Sequence, residues 1–567
     1  MNTVQRNLLA IVLSALVMVV YFMWFAPPVA PPQPVAEETV EIKKPPIIKE
    51  QVFEERVVKT PVSEEGEEKL ITIYTDLFVA EISNVSGGSF TKFSLNNFSG
   101  SYNAYGDFVD TINVSLLNVQ ENECRPCLSM FDKDTKEYEN FSGVFDVTYD
   151  DGSEIHLSGD EETTFIFSYR NDSGISIEKR LTIYGNSYSS DHLYLLNGFE
   201  NTYRKTFELI WSGGLSPTER MENEDIQNGA ATISQAEEIE KISLSKDEHL
   251  KREVYQGNTE WVAIKNKYFI AAILPSESGD YATMSADNVH FGDREATPIY
   301  TASVGYGVGV NEIASQIYLG PQQIDKLRAT GTTIEDAMNW GFSFIRPISK
   351  LVLKLLTFLH NPFNAIVINY GVVLIVFALL IRIVTGPLMK KSARSTQKMQ
   401  LIQPQVKAVQ KKLKSNPQKM NQEVMALYKK HGVNPLGGCL PMLVQMPLLF
   451  ALFVVFRNTI EFRGEPFIFW ITDLSSPDAI FSLPFNIPIY GSHVAILPII
   501  MGTTMFLQQK ISSASMDKSQ KPMMYMMTGF FFLLFNSFPS GLNLYYAVSN
   551  VLNILQQRSV KAQLSKE

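Results

Sequence analysis

The chain has few of the residues on which enzymes and metal proteins commonly rely. Its 567 residues include three cysteines and seven histidines, and the histidines are scattered along the sequence. The sequence contains no glycine-rich phosphate loop, no metal-ligand spacing and no nucleophile beside a base. It therefore predicts neither a metal nor a cofactor, and it argues against covalent catalysis.

The cysteines allow little chemistry. Cys124 and Cys127 form a Cys-Arg-Pro-Cys sequence, and Cys439 lies in an apolar run, where we expect a buried small side chain. A thioredoxin-like redox pair would need a strand-then-helix pattern around it, and that pattern is missing. A local structural disulfide and two free thiols stay open as interpretations of Cys124 and Cys127.

Charged residues are also scarce, at 19%, whereas hydrophobic residues make up 45%. The sequence divides into an acidic first part, up to about residue 340, and a very apolar second part. The formal net charge of −10 is the sum of both parts and does not indicate nucleic-acid binding. This composition predicts a membrane protein with a large soluble domain.

The N-terminal segment, residues 1–26, contains an uninterrupted apolar run at 8–26. The run is long enough to cross a hydrocarbon core of roughly 30 Å. We favour an uncleaved anchor over a signal peptide, because the run is longer than a usual signal core and two prolines follow Ala26. Residues 27–69 are rich in Pro and Glu and predict an extended tether.

Residues 70–335 have the pattern of an all-β domain. Short segments alternate apolar and polar residues, as at 70–74 and 177–183, with clusters of Asn, Asp, Ser and Gly between them. Many short strands at this spacing predict a β-sandwich. We expect the acidic stretch 233–249 to be a helix or a loop.

A basic amphipathic helix is predicted within residues 336–361. Apolar residues recur every three or four positions, and Arg346, Lys350 and Lys354 lie on the opposite face. An ordinary packed surface helix would show the same pattern. We favour a helix that lies in a membrane interface, because a transmembrane run follows directly.

Residues 362–558 predict a helical membrane core. The loop at 387–435 carries eleven Lys or Arg against one acidic residue, whereas 461–486 carries four acidic residues against one arginine. The positive-inside rule then places both termini in the cytoplasm and the β domain outside. The predicted fold is a polytopic α-helical membrane protein with six transmembrane helices, namely the N-terminal anchor and spans at 365–386, 436–460, 487–507, 523–538 and 542–555.

Residues 388–431 predict a cytoplasmic hairpin of two helices that breaks near residues 415–417. Its lysines allow two interpretations. They solvate the hairpin and attract anionic lipid, or they dock a ribosome, a targeting factor or an incoming chain. The candidate docking residues are Lys407, Lys411, Lys412 and Lys414, and the tail at 559–567 adds few charges.

Arg382 is the clear ionisable residue inside a predicted span. It lies about one turn from the cytoplasmic end of that span, so its side chain either extends to the lipid headgroups or has a function in the bilayer. Polar amides on the spans accompany it and fit a hydrated concavity open on one side. These amides are Asn369, Gln445, Gln508, Gln509, Asn536, Asn543, Asn550 and Asn553.

Several short sequences resemble the YidC/Oxa/Alb insertase family. They are NPLGGC at 434–439 with QMP at 445–447, FPSGL at 538–542 with the tyrosines that follow, and LIQP at 401–404. The resemblance covers residues 340–558. The anchor and the β domain resemble the Gram-negative layout of this family less specifically.

The resemblance implies insertion of the transmembrane segments of nascent inner-membrane proteins through a hydrophilic groove, alone or with the Sec translocon. The family's groove arginine precedes a proline by five residues, which matches Arg382 and Pro387. Tyr546 matches a substrate-contacting position, and we expect Gln445 and Asn550 to line the same groove.

One departure from the family concerns Ser537, which stands where relatives often have tryptophan, so no aromatic role is assigned there. A secondary transporter or channel with an exterior sensing domain is the alternative from another class. The sequence shows no paired half-repeats of the kind that transporters commonly contain.

Overall fold

The structure, a computed structural model, describes residues 66–564 apart from short internal gaps. The predicted anchor, and the predicted tether up to residue 65, lie outside the described residues. The gaps are 103–107, 118–122, 132–137, 172–173, 200–205, 221, 237, 245–247, 249, 290–296, 308, 363–364, 433–439, 488–489 and 513–520.

Strands dominate the described residues up to position 321. In chain order they are β1 (Leu70–Tyr74), β2 (Phe78–Ser83), β3 (Ser89–Tyr102), β4 (Phe108–Ser115), β5 (Cys127–Phe131), β6 (Tyr138–Asn140), β7 (Asp146–Val147), β8 (Ser153–His156), β9 (Glu162–Arg170), β10 (Ser176–Tyr184), β11 (Ser189–Asn197), β12 (Phe207–Trp211), β13 (Ala230–Gln235), β14 (Glu238–Ile242), β15 (Lys251–Lys265), β16 (Phe269–Pro275), β17 (Gly279–Val289), β18 (Thr297–Tyr306) and β19 (Glu312–Pro321). A later hairpin comprises β20 (Ala479–Ile487) and β21 (Gly491–Ala495).

The strands of this domain form two sheets. The smaller has the order β4-β3-β2-β1-β8, with β1 and β8 parallel, and the larger follows β6-β5-β12-β18-β17-β15-β16-β19-β11-β10-β9-β7. β13 joins the larger sheet beside β15. Burial alternates along β10, as the period of two requires for a strand with one face in a core. The prediction of a mainly β domain is confirmed.

The two sheets contact each other through aromatic side chains. Phe90 of β3 lies 6.3 Å from the ring of His192 on β11, and Phe78 of β2 lies 6.5 Å from Tyr188. At Gly88, where φ is +79°, an added Cβ would lie 2.5 Å from Phe167. Only glycine tolerates both that conformation and that closeness.

The structure decides two expectations that the sequence raised for this domain. The acidic stretch at 233–249, expected to be a helix or a loop, contributes to β13 and β14 instead, because its alternating residues pair β14 with β13 and β13 with β15. Cys124 and Cys127 are joined by a disulfide, and both are buried beside Ile210.

Helices dominate the described residues after position 322. One short helix, α1 (Glu222–Asn228), lies within the β domain. The later helices are α2 (Ile324–Arg328), α3 (Arg346–His360), α4 (Tyr370–Lys412), α5 (Pro417–Lys430), α6 (Leu440–Asn458), α7 (Ile496–Ser512), α8 (Lys521–Phe535) and α9 (Ser540–Leu564). Short 3₁₀ turns occur at Ile334–Ala337 and Ile460–Phe462.

Helix α4 combines the predicted second span with the first helix of the predicted hairpin. It continues through Pro387 and Pro404 to Lys412, and α5 begins at Pro417. Among the described residues, Tyr370–Ser392 are long and apolar enough to cross a membrane, and Gln445–Asn458 form a shorter apolar helix.

The predicted spans differ from the observed helices in their bounds, and two of them show why. The span predicted at 487–507 starts as helix only at Ile496, because the residues before it pair as the β20–β21 hairpin. The span predicted at 542–555 belongs to a longer helix, α9, that extends to Leu564. An apolar run alone does not distinguish a buried strand from the start of a helix.

Helix α3 starts later than its predicted pattern and has apolar residues on two sides. Val352, Leu353 and Leu356 are buried, and α3 packs against α4 and α6. Leu351 and Phe358 remain exposed.

Candidate functional site

Arg382 joins two helices of the core. Its Nη1 donates to the Oδ1 of Asn553, so the side chain connects α4 with α9. Arg382 is partly buried and lies five residues before Pro387, where the proline ring interrupts the hydrogen-bond ladder of α4. In this contact the guanidinium of Arg382 is directed at α9.

The polar residues of α9 lie along one helix face. Tyr546, Asn550 and Asn553 are four and three residues apart, and this spacing brings side chains to the same side of a helix. The Nδ2 of Asn550 donates to the Oγ1 of Thr504 on α7 over 3.4 Å. The face therefore connects to α4 at one end and to α7 in its middle.

Gln445 of α6 lies beside the hydroxyls of Tyr545 and Tyr546. The Tyr546 hydroxyl is buried. Its ring contacts Phe535 at a centroid distance of 5.8 Å. We call the polar side chains between α4, α6, α7 and α9 the polar seam: Arg382, Gln445, Thr504, Tyr546, Asn550 and Asn553.

Three of the predicted amides lie outside the polar seam. Asn369, Asn536 and Asn543 bind backbone groups at helix ends and loops, so they do not belong to the polar seam. Asn369 caps α4 by accepting from the amide of Gly371, and Asn543 donates to the carbonyls of Phe535 and Phe538.

The side-chain amide of Asn536 forms three hydrogen bonds. It donates to the carbonyls of Tyr490 and His493, and its Oδ1 accepts from the amide of Ala495. The hydroxyl of neighbouring Ser537 also donates to the Tyr490 carbonyl, at 3.1 Å. Asn536 and Ser537, the second of which departs from the family sequence, therefore bind the β20–β21 hairpin to the end of α8.

The four predicted docking lysines lie at the far end of α4 and in the turn that follows. Lys407, Lys411, Lys412 and Lys414 are all exposed. Along a helix axis, the thirty residues from Arg382 to Lys412 correspond to about 45 Å. The docking lysines and Arg382 of the polar seam therefore lie far apart on α4.

On the opposite side of the core, Arg463 connects the loop after α6 with the β domain. Its Nε donates to Glu219 at 2.8 Å, and its Nη atoms donate to the carbonyls of Ser99, Gly100 and Thr218. Burial raises the pKa of Glu219 to about 7, although the charge of Arg463 acts in the opposite direction. We call this set of contacts the Arg463 clamp.

Sequence reasoning missed two parts of this arrangement. Thr504 lies in an apolar run without any charged neighbour, and its hydroxyl is the only feature that could have singled it out. Arg463 was counted only as a charge in an acidic loop. Within the described ranges, no group of three His, Cys, Asp or Glu side chains is arranged to bind a metal.

Comparisons with known proteins give a consistent result along the chain. The family model described as "60Kd inner membrane protein" matches residues 362–567, and the model of the "YidC periplasmic domain" matches residues 70–355. A "Membrane protein insertase YidC" from Chloroherpeton thalassium is 34% identical over 98% of this chain and 95% of its own length.

Two further comparisons concern a second relative and a solved structure. The insertase of the same description from Chlorobaculum parvum is 32% identical over 99% of this chain and 95% of its own length. A solved structure described as an active YidC insertase with its first transmembrane domain resolved covers 87% of this chain and 92% of its own, at 17% identity and a TM-score of 0.34.

Proposed function

Because this chain belongs to the YidC family of membrane protein insertases, we propose that the polar seam receives the segments that it inserts. The chain is a membrane protein insertase of the inner membrane with a periplasmic domain, and nascent membrane proteins are its substrates. It is not an enzyme in the usual sense, since insertion makes and breaks no covalent bond.

In the proposed mechanism, the polar seam is the hydrated groove of the insertase. A positive charge and several amides in the bilayer lower the barrier for the polar flank of a substrate to enter. The apolar part of the substrate then moves into lipid by the hydrophobic effect. The observation that carries this proposal is the bond from Arg382 to Asn553, which holds the guanidinium inside the helical core.

The proposed topology has six spans, with both termini in the cytoplasm and the β domain in the periplasm. The charge difference between the loops supports it. The Arg463 clamp supports it independently, because a loop predicted to be outside contacts the β domain. The exposed Leu351 and Phe358 of α3 support a helix that lies in the outer membrane interface.

Four further partners are proposed. The exposed lysines at the end of α4 suit a ribosome, a targeting factor or anionic lipid, all of which present negative charge. Cooperation with the Sec translocon rests on the family resemblance alone.

The test is reconstitution of the full-length chain in proteoliposomes with a small single-span substrate that needs no translocon. We expect Arg382→Ala to reduce protease-protected product by roughly ten-fold for substrates with an acidic exported flank, since a charge-assisted contact is lost. Substrates with an uncharged flank should change little. Arg382→Lys should retain most of the product, because a point charge suffices.

Arg394→Ala is the matched control, because Arg394 lies on the same helix and is exposed. It should insert as wild type does. If wild type gave no more protected product than empty liposomes, the assignment as an insertase would fail. If Arg382→Lys inserted as poorly as Arg382→Ala, a specific guanidinium contact would replace the point-charge account.

A further inference from the structure

A cavity of about 670 Å³ lies where the β domain meets the outer ends of the core helices. Its wall includes Phe98 and Asp325 from the β-domain side, His360 at the end of α3, Tyr370 at the start of α4 and Glu465 from the loop after α6. This volume is within the range of about 300–1,000 Å³ that is usual for small-molecule sites. In the proposed topology, the start of α4 is at the level of the outer headgroups.

The cavity wall contains oxygen acceptors that lack donors. The Oε2 of Glu461 and the Oδ1 of Asn361 are buried and have no hydrogen-bond partner among the described residues. Buried acceptors are normally satisfied, so a ligand that donates hydrogen bonds to both would complete this wall. Burial also raises the pKa of Glu461 to about 7, and a cation beside it would stabilise its ionised form.

The positively charged side chains of the cavity wall differ in whether they already have an ion-pair partner. The Arg463 guanidinium is occupied by Glu219 and three carbonyls in the Arg463 clamp. Lys326 and Lys354 are exposed at the wall and form no ion pair within the part of the chain that the structure describes. They are therefore available to an anionic group, such as a phosphate.

Exposed apolar side chains lie on the two helices that border the cavity, α3 and α4. Phe358 lies in the cavity wall and is exposed, as is Leu351 two turns before it on α3. Val372 and Val376 on the first turns of α4 are exposed as well. A ligand with a polar head in the cavity can thus place hydrocarbon along these side chains.

We propose that this cavity binds the headgroup of a phospholipid with a primary ammonium, as in phosphatidylethanolamine. The ammonium donates to Glu461 and Asn361, the phosphate lies between Lys326 and Lys354, and the acyl chains follow the apolar surface of α3 and α4. The proposal rests on the outer position of α4 in the membrane and is independent of the polar seam.

The test measures lipid retention by the full-length protein in native mass spectrometry. The protein is exchanged from detergent mixed with phosphatidylethanolamine, phosphatidylcholine or phosphatidylglycerol of the same acyl chains. Phosphatidylcholine has the same charges, but its quaternary ammonium carries no N–H. We expect phosphatidylethanolamine to be retained roughly ten-fold more than phosphatidylcholine.

Substitutions in the cavity wall test whether the preference for phosphatidylethanolamine arises there. Glu461→Gln should remove most of the preference for phosphatidylethanolamine, and Lys354→Ala should lower retention of both phosphatidylethanolamine and phosphatidylcholine. Glu312→Gln is the matched control, because Glu312 is an exposed carboxylate on β19 outside the cavity wall. It should retain lipid as wild type does. Melting temperatures of all variants show that each is folded.

Equal retention of phosphatidylethanolamine and phosphatidylcholine would overturn the proposal, as would an unchanged preference in Glu461→Gln. Calcium titrated into the lipid-free protein tests the other occupant. Calcium binding that depends on Glu461, without a preference for phosphatidylethanolamine, would assign the cavity to a cation. Since the readout is retention, a failure here leaves the insertion assay unaffected.

Discussion

At the scale of single residues, Lys179 shows how far strand alternation determines burial. The period of two in β10 places it on the same face as Ile177 and Leu181, and all three are buried. Its Nζ donates to the carbonyl of Gly88 at 3.3 Å and lies 5.0 Å from the ring centre of Tyr194, and it forms no ion pair with any described residue. The alternation overrides the preference of a charge for water.

Burial lowers the pKa of Lys179 to about 7. An unfolded lysine has a pKa near 10.4. Between these values the unfolded chain binds a proton that the folded chain has released, so this group makes stability rise with pH. Lys265, whose pKa is also lowered to about 7 by burial, acts in the same direction.

We expect Lys179→Met to be more stable than wild type at pH 7.5, because the change removes a buried group that is partly charged at that pH. Between pH 8 and 10 the stability of the variant should rise less steeply, by about 1.4 kcal/mol per pH unit. Denaturant unfolding of the full-length chain, followed by tryptophan fluorescence, measures both. Lys411→Met, at an exposed site, is the control. Equal slopes in wild type and Lys179→Met would refute the assignment.

The site residues show that the role of a single residue cannot always be predicted from its type and its position in the sequence. The sequence singled out Arg382 by its charge, but it could not tell Asn553, which contacts Arg382, from Asn536, which fastens a hairpin. Both are amides in apolar runs. Their roles depend on which backbone or side chain approaches from another helix, and spacing along one helix does not contain that information.

At the scale of elements, the sequence predicted the type of most helices and strands better than their bounds. The β20–β21 hairpin was missed because its apolar residues continue directly into α7. The break between α4 and α5 was easier to place, because Asn416 and Pro417 are typical of a helix start. There the Oδ1 of Asn416 accepts from the amide of Lys419 at 3.1 Å.

This cap gives a prediction for the hairpin. Asn416→Ala removes the acceptor for the first turn of α5 and should destabilise that helix by about 1 kcal/mol. Hydrogen exchange of the full-length protein should be faster in α5 and unchanged in the β domain. Asn416→Asp retains a capping oxygen and should exchange as wild type does. Faster exchange in Asn416→Asp as well would mean that the cap contributes little.

At the scale of the whole molecule, the division into a β domain and a helical core followed from composition and loop charge. How the two parts contact each other did not. The Arg463 clamp brings together residues 99–100, 218–219 and 463, and no periodicity connects positions so far apart in sequence.

We expect Arg463→Met to weaken the attachment of the β domain by about 3 kcal/mol, since it leaves the buried Glu219 without its cation. Calorimetry in detergent should then show the melting of the β domain separated from that of the core. Adding Glu219→Gln should restore part of the loss, because it removes the unpaired charge. An unchanged melting profile in Arg463→Met would show that other contacts hold the domain.

The proline in the middle of α4 has a mechanical consequence. Helices bend most readily where a proline removes a hydrogen bond. A bend of about 10° at Pro387 displaces Lys412, about 38 Å further along α4, by about 7 Å relative to the part of the helix that holds Arg382. The lysine end of α4 can therefore move while the Arg382–Asn553 contact stays in place.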